Sequence, residues 1–354
     1  MFRVLTLFWI SILGSTLQAQ NLTERLDSIV SISVFENRFE GTILVAREGK
    51  SIYHQSFGYA DDGRNIPLNN ATHFGIASIT KMLTAICILQ LVEEEKFELD
   101  NTLQTLLPEY DIPNSKKISV HHLLLHISGL PNERDALYLQ SRTPEEFVTR
   151  TLRNKSNRFG QFNYANIDYV LLGILIEKFD KSAWEESVRN RILNKVGMTE
   201  SGFLSKDNYP EDFAYTFSYG GSDIREADPL FHIENFYASG CMHSTAEDLL
   251  KLDQAMYGEL LLSAESKELM YTSYPEFNYT GYSVWTYTYP FADSYPRVME
   301  RRGGILGSNS TLLRLLSSNG TIIILSNNDQ FNPDSFGETQ SLKEALLIEL
   351  AGEK

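Results

Sequence analysis

The 354-residue chain contains only two cysteines, Cys87 and Cys241. Two distant cysteines make no disulfide framework, and without a C-x-x-C pair a cysteine zinc site is not indicated. Cys87 lies in an apolar stretch and reads as a small buried hydrophobe. Positive charge is also in short supply: Lys and Arg number 31 against 46 Asp and Glu, a formal net charge of -15. Such a chain is a poor partner for nucleic acid, whose phosphates need neutralising by Lys and Arg. G-x-S-x-G is absent, which argues against an α/β-hydrolase nucleophile elbow. H-E-x-x-H is absent too. His122 and His126 are four apart, but only Leu123, Leu124 and Leu125 lie between them, so neither a metal nor a cofactor is expected. Past the first twenty residues no segment is long and apolar enough to span a bilayer.

Those first twenty residues differ from the rest. Arg3 is the only charge before Glu24, Val4 to Leu13 is a short apolar run, and Gly14 to Gln20 is small and polar. This is the order of a secretory signal peptide, and the apolar run falls short of the ~20 residues of a spanning helix. Cleavage is expected near Ala19 or Gln20. No Cys follows to carry a lipid, so no stable membrane anchor is expected and the mature protein is read as exported, either periplasmic or secreted.

The periodicity predicts a helix over Thr23 to Phe35, then a β-hairpin from Gly41 to Tyr59 turning at Glu48-Gly49-Lys50. From about Ile76 to Leu262 the signals are mainly helical. Strand signals return from Tyr282, with Ser318-Asn319-Gly320 joining two apolar runs, a strong hairpin cue. Leu342, Leu346 and Leu350 share one face of a last helix. The expected fold class is α+β. The terminal strands pair into one antiparallel sheet flanked by the N- and C-terminal helices, and a mostly helical lobe is inserted between them. The expected boundaries are an α/β lobe of 21–75 plus 265–354 and a helical lobe of 76–264. The boundary between lobes is where a ligand site is expected.

Three segments carry possible chemistry. Ser78-Ile79-Thr80-Lys81 opens an apolar helix, so a hydroxyl and an amine fall one turn apart on one face. A serine is a weak nucleophile until a base takes its proton. Burial and the helix N-terminus both press Lys81 toward the neutral amine. Tyr164-Ala165-Asn166 precedes a second apolar helix, with a phenol able to shuttle protons and an amide able to hold Lys81 and a substrate carbonyl. Arg302-Gly303-Gly304-Ile305 places two glycines in a strand-like segment, as close approach to a backbone requires. The Ile305 N–H there could join that of Ser78 as an oxyanion hole. Each segment alone also fits a bland role: a chance S-x-x-K, a buried Tyr with a capping Asn, a glycine turn with solvated arginines. Capping likewise accounts for His243-Ser244-Thr245, and strand packing for the Tyr-rich stretch from Tyr271 to Tyr295.

In this order the three segments resemble the motif set of the serine β-lactamase and penicillin-binding-protein superfamily, in its class C β-lactamase-like branch. The likeness extends to Phe74-Gly-Ile-Ala-Ser-Ile-Thr-Lys81, to Leu99-Asp-Asn-Thr-Leu103 with Leu107-Pro-Glu-Tyr110, to Leu123-Leu-Leu-His-Ile-Ser-Gly-Leu-Pro131, and to Ser239-Gly-Cys-Met-His-Ser-Thr-Ala-Glu-Asp248. It runs from roughly Gly41 to Asn327. The resemblance implies a serine hydrolase that forms an acyl-enzyme at Ser78 on an amide, lactam or ester carbonyl of a small-molecule or peptide substrate, peptidoglycan fragments among them. Lys81 and Tyr164 would relieve Ser78 of its proton, Asn166 would orient the substrate, and Arg302, Gly303 and Gly304 would bind it. The family's third motif usually begins with Lys or His. Arg302 keeps its charge at any working pH and passes no proton, but it could grip a carboxylate with two prongs. That departure tilts the expected activity toward a D-amino-acid peptidase or esterase rather than a true β-lactamase. The competing reading is a non-catalytic penicillin-binding or peptidoglycan-sensing protein on the same scaffold.

Overall fold

The computed structural model describes residues 22–61, 63–154, 158–221 and 224–352; the expected leader, 1–20, lies outside them. Strands β1 (Gly41–Arg47) and β2 (Lys50–Phe57) form the first hairpin. Short strands follow at β3 (Phe74–Gly75), β4 (Gly202–Phe203), β5 (Phe217–Ser218), β6 (Glu226–Ala227) and β7 (Met242–Ser244). The C-terminal third adds β8 (Trp285–Thr288), β9 (Arg297–Ile305), β10 (Ser308–Leu315) and β11 (Gly320–Ser326). The large sheet has six strands in the order β2-β1-β11-β10-β9-β8. Its pairings are antiparallel, and β1 lies against β11, so the two ends of the chain close one sheet. Asn319, with φ of 51°, provides the left-handed residue that the β10–β11 turn needs.

The middle strands are buried on both faces, and residue parity decides which core each side chain joins. Ile43, Val45, Ile322 and Ile324 pack with Leu26 and Val30 of an N-terminal helix, residues 22–36, and with Leu342, Leu346 and Leu350 of the C-terminal helix Leu342–Gly352. Leu44, Ala46, Ile323 and Leu325 face the opposite way, into the core of the helical region. Each fully buried Leu or Ile contributes about 1.5–3 kcal/mol, and a one-residue slip of β1 would exchange the two sets.

Two helices run through the middle of the helical core and are buried almost all round: Thr80–Glu93 and Asn166–Asp180. A three-stranded sheet in the order β3-β7-β4 stands beside them. It was not expected from the sequence, because strands of two or three residues are too short to show a period. It matters for the site: the Ile76 amide donates to the Met242 carbonyl (3.0 Å) just before the Ser78 turn. Thr245 caps the following helix, Ala246–Ala255, by accepting from the Asp248 amide. Both cysteines are buried and free.

Candidate active site

Ser78 stands in a single 3₁₀ turn, Ala77–Ile79, that leads into the helix starting at Thr80. Ala77 is held at φ 44°, a left-handed conformation that an alanine adopts only under constraint. The constraint comes from both sides: β3 and β7 pin the chain before it, and the long helix fixes the chain after it.

Lys81, one turn on, is fully buried. Its Nζ donates to Ser78 Oγ (3.0 Å), Asn166 Oδ1 (2.7 Å) and the Ser239 carbonyl (2.7 Å). All three acceptors are neutral. Burial lowers the ammonium to a pKa of about 8, with Arg301 adding to the fall and Tyr164 and Glu133 opposing it. The hydroxyl of Tyr164 meets Ser78 Oγ at 2.8 Å. Burial alone would raise this phenol, but the charges of Arg301 and Lys81 and the hydrogen bonds from Lys81 and Ser78 outweigh it and bring it to about 8. Serine, amine and phenol therefore converge from two distant parts of the chain.

Asn166 is the first residue of its helix, and its Nδ2 donates to Glu133 Oε1 (2.7 Å), which also accepts from the Tyr138 hydroxyl (2.8 Å). Under the loop bearing Tyr164 sits a buried pair, His126 Nδ1 and Asp168 Oδ2, 3.0 Å apart. Burial lowers the imidazole and raises the carboxyl, so the uncharged forms of both are favoured. Ser128 Oγ donates to the other Asp168 oxygen (2.5 Å), and the Tyr164 ring lies 4.3 Å from the His126 ring. His126 thus serves packing, as its place in an apolar block suggested.

The third segment needs correction by one residue. Along β9 it is Arg301 and Gly303 that are buried toward Ser78, while Arg302 and Gly304 face outward. A Cβ on Gly303 would lie 2.5 Å from the Ile76 carbonyl and 3.1 Å from the Ser78 nitrogen, so the strand can approach Ser78 only as glycine. Arg301 was missed by sequence reasoning. Its guanidinium donates to the Ser78 carbonyl (2.7 Å), the Ser283 carbonyl (2.8 Å) and the Tyr164 hydroxyl (2.8 Å). It is therefore the cation beside the phenol, and the basic-x-Gly pattern reads Arg301-Arg302-Gly303. Two adjacent arginines before two glycines fit that pattern in either register, and only strand parity distinguishes them.

Ile305 is displaced from its expected place by the same parity. β9 and β10 join through a two-residue turn, with Ile305 opposite Ser308. The pair flanking such a turn exchanges its backbone bonds, which turns the Ile305 amide toward β10 and those of Arg302 and Gly304 toward the open edge. The Ile305 side chain lines a separate apolar cavity of about 290 Å³ with Gly75, Phe213 and Phe217.

Ser78, Tyr164, Trp285, Arg302 and Gly304 line one cleft of about 560 Å³. Arg302 reaches it, yet its partners belong to the protein: it is ion-paired with Asp334, its Nε lies 3.2 Å from buried Glu300, and its guanidinium rests 4.5 Å from the Trp285 ring centroid. Among the described residues no group of three or more His, Cys, Asp or Glu could hold a metal, and no helix is long and apolar enough to cross a membrane.

The beta-lactamase family model matches residues 21–347. The chain belongs to the beta-lactamase family. Family members are in general serine hydrolases. Among curated relatives, this beta-lactamase-family chain is 25% identical to penicillin-binding protein 4* of Bacillus subtilis over 88% of its own length and 73% of that protein's. It is 29% identical to the putative penicillin-binding protein PbpX of the same organism over 83% of its length and 72% of the relative's. Among solved structures, the octameric penicillin-binding protein homologue of Pyrococcus abyssi superposes with a TM-score of 0.79 at 25% identity, covering 92% of this chain and 77% of that one. D-amino acid amidase of Ochrobactrum anthropi shares the fold, with a TM-score of 0.81 at 20% identity over 93% of this chain and 98% of that one.

Proposed function

We propose that this beta-lactamase-family protein is an exported serine acyl hydrolase that works through an acyl-enzyme on Ser78. The observation carrying the proposal is that one hydroxyl, Ser78 Oγ, touches both Lys81 Nζ and the Tyr164 hydroxyl. Both of those groups are brought to about 8, near a working pH, where a general base is most effective.

Tyr164, in its phenolate form beside Arg301 and Lys81, takes the proton of Ser78. Ser78 Oγ then bonds to the substrate carbonyl carbon. The developing oxyanion is held by the Ser78 N–H and by the outward amide of Gly304, which replaces Ile305 in that role. As the bond to the leaving amine or alcohol breaks, Tyr164 returns the proton to it. Water, deprotonated by the same phenolate, then attacks the carbonyl carbon of the ester on Ser78; as the C–Oγ bond breaks and the acid leaves, Tyr164 returns that proton to Ser78 Oγ. Lys81 holds the phenol and Ser78 in register, and the pair titrates as a unit. Asn166, fixed by Lys81 and Glu133, orients the substrate amide.

Among amide, lactam and ester carbonyls, a D-amino-acid peptide or an ester is favoured over a β-lactam. The shared fold with D-amino acid amidase supports this reading, as does the Arg at the head of the third motif in place of Lys or His. Export rests on the leader pattern in residues 1–20. The test is a panel of nitrocefin, a p-nitrophenyl ester and a D-Ala-D-Ala peptide with wild type and Ser78→Ala. Turnover that disappears in the variant while the fold is retained is the expected result. Full activity in Ser78→Ala, or fluorophosphonate labelling of Ser78 with no turnover of any carbonyl substrate, overturns the proposal.

A further inference from the structure

Arg302 is the only Arg or Lys among the described residues lining the Ser78 cleft, and it is already engaged. The other ionisable liners are Tyr164, Asp329 and Asp334. Asp329 is already engaged: its carboxylate accepts from the backbone amides of Tyr219 (3.0 Å) and Gly220 (3.2 Å) and from Gln330 Nε2 (2.7 Å). Asp334 is spent on Arg302, although its side chain is 74% exposed.

An exposed acid on a loop could simply drift onto a nearby arginine, but this one is delivered. The carbonyl of Pro333, immediately before it, accepts from Lys343 Nζ (2.8 Å), which is fully buried. Ser335, immediately after it, is completely buried. The Asp334 amide itself donates to Asn332 Oδ1 (2.9 Å). The backbone on both sides is therefore held, and the loop presents the Asp334 carboxylate beside Arg302. From below, Glu300 approaches the same guanidinium at 3.2 Å, while Lys343 balances Glu300 at 2.7 Å. The cation is thus compensated from two directions, and a ligand carboxylate arriving in the cleft meets Arg302 already paired and one further acid, Asp329, on the wall. A like charge brought to contact distance beside a cation that is already paired is unfavourable.

We propose that Asp334 is a built-in specificity gate. It occupies the anion seat on Arg302, so the cleft selects acyl substrates whose group over Arg302 and Trp285 carries no free carboxylate, namely esters and internal or blocked amides. This rests on the Ser78 reading above, and it goes beyond it by naming the charge class of substrate and the residue that sets it. Selection of this kind works by repelling the wrong substrate as well as by holding the right one.

The test compares two matched pairs of esters, one with the carboxylate on the leaving group and one with it on the acyl chain. The first pair is the phenylacetyl ester of 3-hydroxybenzoic acid and that of its methyl ester. The second is the 4-nitrophenyl monoester of glutaric acid and its methyl-blocked form. For wild type, kcat/KM should favour the blocked member of at least one pair. In Asp334→Asn, which keeps the shape and removes the charge, the carboxylate-to-blocked ratio of that pair should rise at least tenfold. The gain should vanish in Asp334→Asn combined with Arg302→Gln, because the freed guanidinium is what grips the carboxylate. Ratios unchanged in Asp334→Asn for both pairs, or a rise that survives removal of Arg302, overturn the gate. A wild type that hydrolyses neither blocked ester overturns instead the Ser78 reading, so the two failures are distinct. Circular-dichroism melts of each variant keep a folding defect from passing as a change in selectivity.

Discussion

Among the described residues two lysines are completely buried, Lys81 and Lys343, and they differ in what they touch. Lys343 sits between the carboxylates of Glu300 (2.7 Å) and Glu344 (3.4 Å), behind the large sheet. Lys81 has hydroxyl, amide and carbonyl oxygens and no carboxylate within bonding distance. A buried ammonium given carboxylates is a fixed half of an ion pair. A buried ammonium hydrogen-bonded only to neutral acceptors has its desolvation penalty offset only in part, here by Tyr164 and Glu133, and moves into the working pH range. The same side chain thus becomes a strut in one place and a titrating group in the other, and the partner's charge decides which.

The sharpest break between the two is in activity. Lys81→Met should lower kcat/KM by roughly 10³-fold or more, since members of a catalytic unit fail together. Its unfolding free energy in urea should stay within about 1 kcal/mol of wild type, because an amine whose burial was costly is replaced by an apolar chain of similar length. Lys343→Met should do the reverse. It strands Glu344 and leaves Glu300 only Arg302 and the Tyr287 hydroxyl (2.6 Å), and should cost about 3–5 kcal/mol in urea unfolding while sparing most of the turnover of a folded sample. If both variants lost stability equally, partner charge would not be what separates the two sites.

Arg301 sharpens the contrast from the other side, because it is a buried cation that acts through a neighbour. Removing it as Arg301→Gln withdraws the charge that favours the Tyr164 phenolate. The rising limb of the kcat/KM–pH profile, expected near 8 from the lowered phenol, should then move to higher pH. An unmoved limb would mean that Tyr164 is not the group titrating in that profile.

The smallest expected effect concerns a half-buried imidazole on β7, opposite Gly75. Burial first, then the nearby His73 and Arg189, hold His243 down at about 4. Its folded pKa is below the unfolded value, so the unfolded chain binds the proton first as pH falls. Stability should therefore be lost between about pH 6.5 and 4, by on the order of 2–3 kcal/mol. His243→Gln should flatten that part of the stability–pH curve, and an unchanged slope would assign the loss to other groups.

Much of the molecule was legible in advance because the signals were local. The hairpin at Glu48-Gly49-Lys50, the Ser318-Asn319-Gly320 turn, the helix behind Ser78 and the leucines four apart in the last helix each follow from a period or a turn residue within a dozen positions. Residues that act by long-range contact left no such trace. Glu133 meets Asn166 across 33 positions and Arg301 meets Tyr164 across 137. Glu133 lies in no pattern that distinguishes it from any other charged residue near a loop, and Arg301 lies in a basic-x-Gly pattern that Arg302 fits equally well. Asp334, 32 positions from Arg302, is likewise an ordinary loop acid until the fold brings it there.

By itself the sequence determined that a hydroxyl and an amine would share one helical turn, since that spacing is covalent geometry plus a helix. It also determined that the middle of the terminal sheet would need covering on both faces, since Ile43 to Ala46 and Ile322 to Leu325 are apolar at consecutive positions. Only the tertiary structure decided which arginine of an adjacent pair looks inward, which amide points to the open edge, and which acid sits on the outward arginine. These depend on strand parity and on loops anchored from behind, and a one-residue shift that leaves composition untouched reverses all of them.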